Sequence, residues 1–145
     1  MKKIHTIGFT RKSLEEFIRL LKGAQISLVV DIRLNPDSQL AGYSKKRDIS
    51  FLLKEGFGID YCHQLQLAPS KEILARYRKD DNWQVYEEAF LRLIETRPVL
   101  RIGEGLINKG RICLLCSEAT PEHCHRHLIA EYWAKHLSGI EICHL

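Results

Sequence analysis

Between Arg111 and His127 the chain reads RICLLCSEATPEHCHRH, its densest collection of groups able to do chemistry. Cys116 and Glu118 stand just after an apolar run, and His123, Cys124, His125, Arg126 and His127 follow within a few residues. The run Arg111 to Cys116 predicts a buried strand. Thr120-Pro121-Glu122 then predicts a helix start, with Thr120 as N-cap, Pro121 at the first helical position and Glu122 in the electropositive first turn. Cys124 and His125 precede Leu128 and Ile129 by four residues, and these precede Tyr132 and Trp133 by four, so all six share an inward stripe. Cys124 and His125 are therefore expected to face the strand end near Cys116.

A thiol near a helix N-terminus with His and Arg neighbours is in the setting that lowers its pKa and makes thiolate available. Cys116 and Cys124 are candidate nucleophiles, Cys116 the better placed because it ends a strand, and Glu118 and His125 are candidate general bases. The plainer reading is a buried structural cysteine beside a hydrogen-bonded histidine. Cys113 and Cys116 match a C-x-x-C pattern, but residues three apart on a strand face opposite ways and lie about 10 Å apart, so these thiols do not meet. The spacings of the remaining Cys and His residues are not those of zinc-binding pairs. Neither a metal nor any other cofactor is expected.

The elements needed to hold these groups follow from the pattern. Ile4 to Phe9 predicts a first strand; Leu14, Phe17, Ile18 and Leu21 predict a helix capped from Thr10 to Ser13 and stopped by Gly23. Ile26 to Arg33 is β-branched and almost continuously apolar, as in a strand covered on both faces of a parallel sheet. A turn-rich loop from Leu34 to about Lys46 follows, including Asn35-Pro36-Asp37-Ser38 and Ala41-Gly42-Tyr43-Ser44. Asp48 or Ser50 is expected to cap a helix through Lys54, and Ile59 to His63 predicts a third strand. Ser70 opens a helix, Trp83 to about Ile94 resumes helical spacing, and the pattern does not fix where this helical region ends near Pro98 to Gly105. The last helix is expected from Pro121 to about Leu137, and Gly139 to Leu145 closes the chain as a fifth strand.

Alternating strands and helices predict an α/β fold, a three-layer sandwich with a mostly parallel sheet of about five strands flanked by helices, in a single domain over residues 1–145. Such sheets bind ligands beyond the carboxyl ends of their strands. Gly8, Asp31, Arg33, Cys116 and Glu118 all fall there. Asp31 and Arg33 are two apart on one strand and share a face, either as a salt bridge or as part of the crevice. Arg33 and Arg126 together are candidate clamps for a phosphate or carboxylate.

The chain of 145 residues has a net charge of +4, which favours anionic partners only slightly. Two basic patches, Lys45-Lys46-Arg47 and Lys71 with Arg76, Arg78 and Lys79, permit nucleic acid without indicating it, since most such runs are solvated helix faces. There is no apolar run of the length a membrane span needs and no signal-peptide hydrophobic region after Met1. A cytoplasmic protein with reduced thiols is expected, and no membrane partner.

The order Thr6-Ile7-Gly8, then Val30-Asp31-Ile32-Arg33 with Asn35-Pro36, then Cys116-x-Glu118 and Pro121-Glu122-x-Cys124-His125-Arg126, resembles the widespread prokaryotic family catalogued as domain of unknown function 488. The final motif is its specific part. The resemblance implies a small α/β fold and a shared polar site of Asp31, Arg33, Cys116, Glu118, Cys124, His125 and Arg126. The chain departs from the family's pattern at Phe9-Thr10, where a polar pair often follows the glycine, and at Gln66 and Pro69, where a Leu-Gly-Gly turn is usual. The resemblance brings no activity with it. Two expectations stand: an enzyme acting on an anionic, phosphate-bearing small molecule or nucleic acid, or a non-catalytic binding module whose polar cluster is structural.

Overall fold

The computed structural model describes residues 2–37, 42–118 and 120–145. Ser38 and Ala41 of the expected long loop, and Ala119 of the central stretch, lie outside the described residues. The strands are β1 (Lys2–Gly8), β2 (Leu28–Asp31), β3 (Asp60–His63), β4 (Ile112–Cys116) and β5 (Ile140–His144). The helices are α1 (Leu14–Gly23), α2 (Lys46–Phe51), α3 (Lys71–Asp80), α4 (Trp83–Glu95), α5 (Val99–Ile107) and α6 (His125–His136). All five strands pair in parallel, in the order β3-β2-β4-β1-β5. Every residue of β2 and β4 is buried, as their unbroken apolar runs require of strands covered on both faces, while the edge strands β3 and β5 are largely half-buried.

The two faces are covered by different helices. Phe17, Ile18 and Leu21 of α1 and Ile49 of α2 pack with Ile7, Val29, Cys113 and Leu115 of the sheet. On the opposite face, Phe90 and Ile94 of α4, Leu106 of α5, and Leu128, Ile129 and Trp133 of α6 pack with Ile4, Val30, Leu114 and Cys116. Strand alternation accounts for the division, and it puts Cys113 and Cys116 on opposite faces as their spacing predicts. After β1 and β2 the chain turns to the α1 and α2 face; after β4 it turns to the α6 face. The carboxyl end of β4 is therefore a topological switch point, where open parallel sheets bind ligands.

Several boundaries shift from the sequence expectation, each for a local reason. Ser13, the last residue of the expected Thr10–Ser13 capping stretch, caps α1, and Ser70 caps α3 as predicted, both through their hydroxyls. Helix α2 begins at Lys46, so Asp48 and Ser50 lie inside it rather than capping it, and it runs on into a π-helical turn over Leu52–Gly56. The helical region, whose end the pattern leaves open, continues after Pro98 as α5. The largest correction concerns α6, which starts at His125 and not at Pro121. Residues 120–124 form bends and a turn, and Cys124 is the N-cap, its Sγ accepting the Arg126 N–H at 3.5 Å. No helix among the described residues is long and apolar enough to cross a membrane.

The α5–α6 contact depends on one glycine. A Cβ on Gly103 would lie 2.5 Å from the ring of the fully buried Trp133, whose Nε1 donates to the Val99 carbonyl at 2.9 Å. Alanine would gain about 1 kcal/mol in helix propensity. Forcing the indole from a fixed, hydrogen-bonded position costs more, about 1–3 kcal/mol. Gly103→Ala is expected to destabilise the protein in denaturant titration, whereas Gly23→Ala, with open space around it, should change stability by less than about 0.5 kcal/mol.

Candidate functional site

The end of β1 fixes the position of the site. Thr6 and Gly8 alternate onto the α6 face, and Gly8 pairs with Cys116 across the β1–β4 ladder. Thr6 Oγ1 accepts from Arg126 Nε at 3.2 Å and lies 2.6 Å from His144 Nδ1. Gly8 leaves room for the chain that follows β4: a Cβ there would overlap the Glu118 carbonyl and lie 2.6 Å from Arg126 Nη1. Its value is the missing side chain, since its φ is not positive.

Arg126 fills the space that Gly8 leaves. It is fully buried, and Nη1 donates to the Glu118 carbonyl at 2.5 Å and to Cys116 Sγ at 3.6 Å. Nη2 is buried without a hydrogen-bond partner, and no carboxylate pairs with this guanidinium among the described residues. Burial lowers its pKa, opposed by nearby acidic groups.

Cys116 and Cys124 are joined as a disulfide, against the expectation of reduced thiols throughout, with Cα atoms 7.6 Å apart; both residues are buried. Cys62, Cys113 and Cys143 are free thiols, in line with the reduced state expected of them. His125 is also buried, its ring edge-on to Phe90 at 5.5 Å. Its Nε2 bonds to the Ile32 carbonyl at 2.7 Å. The carbonyl can only accept, so Nε2 carries the proton and Nδ1 the lone pair. Burial pushes the His125 pKa down to about 4, which keeps the ring neutral. The donor atoms of Cys116, Cys124 and His125 all lie within 4.8 Å of one another. The sequence pattern brings these three residues together, but their linear spacing is not that of a metal-ligand pair because the two sulfurs come from a strand end and a helix cap.

Glu118 behaves differently: its carbonyl is at Arg126, while the residue as a whole is exposed. In the same segment His123 stacks on Trp83 at 5.1 Å between centroids and 22° between planes, tying the connection to α4.

Asp31 and Arg33 share a face as their spacing predicts, but it is the face opposite Cys116. Val30 and Ile32 pack with the α6 side, so Asp31 alternates toward α1 and α2. The carboxylate takes Arg33 Nε at 2.9 Å and Nη2 at 2.7 Å, and also the Tyr61 hydroxyl at 2.5 Å. Arg33 Nη2 donates further to the Ser44 carbonyl at 2.6 Å, and the guanidinium lies 5.3 Å from the Phe9 ring centre. Burial and the Asp31 charge push the Tyr61 pKa up. The two groups of predicted site residues thus flank the carboxyl edge of the sheet, joined through the His125–Ile32 hydrogen bond. Thr6, Tyr61, Ser44 and His144 escaped the sequence reading. Thr6 alone left a signal, two residues before Gly8; the others depend on strand order and loop folding.

The sequence profile described as "Domain of unknown function DUF488" matches residues 13–133. The chain belongs to the DUF488 family. No curated protein and no solved structure matches it. The match takes in β2, β4 and most of α6, and with them every site residue expected from the sequence except Gly8; Thr6 and His144 also lie outside it.

The Asp31–Arg33 pair supplies a test of the frame. Both residues are buried, and removing one charge leaves the other uncompensated. Asp31→Ala is expected to cost about 3–5 kcal/mol in unfolding free energy, and Tyr61→Phe, which removes one hydrogen bond to a charged group, about 1–3 kcal/mol. A cost below 1 kcal/mol for Asp31→Ala in urea titration would show that the pair does not hold this edge.

Proposed function

We propose that this DUF488 chain is an enzyme acting on an anionic, phosphate-bearing substrate, a nucleotide or nucleic acid, at the carboxyl end of β4. One observation carries the reading: Arg126 is a buried cation with no carboxylate partner among the described residues and one guanidinium nitrogen without a hydrogen bond. A planar fork in that state suits a phosphate or carboxylate oxygen. Glu118, whose carbonyl caps Nη1, is exposed, so the guanidinium lies one residue below the surface. Arg126 holds the anion, while Arg33, on the opposite face and bonded to Asp31 and the Ser44 carbonyl, serves the frame. Gly8 admits the close approach. Cys116, Cys124 and His125 form the reactive centre, with Glu118 as the general base that has access to solvent.

Burial of Cys116, Cys124, His125 and Arg126 favours a second reading, a non-catalytic module whose polar network holds the strand-to-helix connection. A panel of inorganic phosphate, nucleoside mono- and triphosphates and short RNA and DNA oligonucleotides separates the two, with binding followed by calorimetry and turnover by product analysis. At least one compound is expected to bind and be converted. Arg126→Lys, which keeps the charge but loses the fork, should weaken that binding at least tenfold, and Glu118→Gln should lower turnover with little change in affinity. Binding indifferent to Arg126→Lys in a folded protein would overturn the assignment; binding without any turnover would leave the module.

A further inference from the structure

Two sulfurs and an imidazole converge in the interior beside a guanidinium with no carboxylate partner among the described residues, a combination that anion binding alone does not require. Donor atoms on one tetrahedral zinc-like ion at roughly 2.0–2.3 Å stand about 3.3–3.8 Å apart; those of Cys116, Cys124 and His125 lie within 4.8 Å of one another, so side-chain adjustment alone brings them onto one ion. The backbone fits a shared ion better than a direct sulfur–sulfur bond. Disulfides span Cα separations of about 4.4–6.8 Å, whereas Cys116 and Cys124 are 7.6 Å apart.

The surroundings are those of ligands held by a second layer of donors. The Arg126 backbone N–H reaches Cys124 Sγ at 3.5 Å, and its Nη1 reaches Cys116 Sγ at 3.6 Å. His125 gives its Nε2 proton to the Ile32 carbonyl, which fixes the ring and turns the Nδ1 lone pair to the opposite edge. Two thiolates and an imidazole are a donor set for zinc and related thiophilic ions rather than for magnesium or calcium.

We propose that Cys116, Cys124 and His125 form a binding site for a thiophilic divalent cation of the zinc class, with at least one coordination position left for water or substrate. The inference deepens the reading of the site as one for an anionic substrate and rests on it for the purpose of that open position. Exchanging two thiol protons for one divalent ion leaves the local charge unchanged, so Arg126 keeps its attraction for an anion while the ion offers that anion a coordination position. Binding releases the two thiol protons as the two metal–sulfur bonds form, with no change in oxidation state.

The test uses the full chain, reduced and stripped of metal with a chelator, titrated with zinc against a chromogenic competitor and separately with cobalt. One equivalent is expected to bind, with thiolate-to-cobalt charge-transfer absorption, and Cys116→Ser and Cys124→Ser should each weaken binding at least tenfold. Cys62→Ser and Cys143→Ser should leave it unchanged. Should the site variants fail to fold, protection of the unaltered protein decides: zinc should slow iodoacetamide labelling of Cys116 and Cys124, read by peptide mass spectrometry, but not of Cys62 or Cys143. No binding, or labelling of Cys116 and Cys124 at the same rate with and without zinc, overturns the proposal. Zinc binding without anion binding would sink the substrate reading alone; anion binding without zinc binding would sink this one alone.

Discussion

The guanidinium of Arg126 ties the site to the sheet. Through Thr6 it is fixed to β1, through Cys116 to the end of β4, and through the Glu118 carbonyl to the connection leading into α6. The backbone of the same residue donates to Cys124, the cap of that helix. A buried charge with no counterion among the described residues is expensive to keep. Its persistence here requires every one of these donors and acceptors to stay in place. Gly8 is part of the same constraint, because any side chain there would occupy the volume that Arg126 and the Glu118 carbonyl share.

The carboxyl edge of the sheet therefore carries two polar assemblies of different character. On the α1 and α2 side, Asp31, Arg33, Tyr61 and the Ser44 carbonyl form a paired, hydrogen-bonded set with charges matched. Such a set suits a frame. On the α6 side, Arg126 faces two sulfurs and an imidazole, and the charges are not matched by any carboxylate among the described residues. An assembly with unmet electrostatic demand is where a ligand gains most from binding. The His125–Ile32 hydrogen bond joins the α6 side to the backbone between Asp31 and Arg33, just beyond β2.

Much of this arrangement is legible in the sequence because local physics fixes it. The unbroken apolar runs of β2 and β4 announce a parallel sheet, the Ser13 and Ser70 caps announce α1 and α3, and strand alternation separates Cys113 from Cys116. The convergence of Cys116, Glu118, Cys124, His125 and Arg126 follows from a strand end turning into a helix. What stays hidden depends on tertiary placement. Asp31 and Arg33 share a face in any register, but which face is decided by where α6 packs. Thr120-Pro121 is a good local helix start, yet a turn over Pro121 to His123 leaves the capping role to Cys124. Tyr61 meets Asp31 only because β3 pairs with β2 in the register that sets Asp31 opposite His63.

The central claim is that Arg126 and Cys116 form one energetic unit rather than two neighbours. A double-mutant cycle of Arg126→Met and Cys116→Ala, measured by denaturant unfolding under reducing, metal-free conditions, tests it directly. The claim predicts a coupling energy of about 1–3 kcal/mol. Additivity within about 0.3 kcal/mol would contradict it and leave Arg126 as a buried cation unrelated to the thiol.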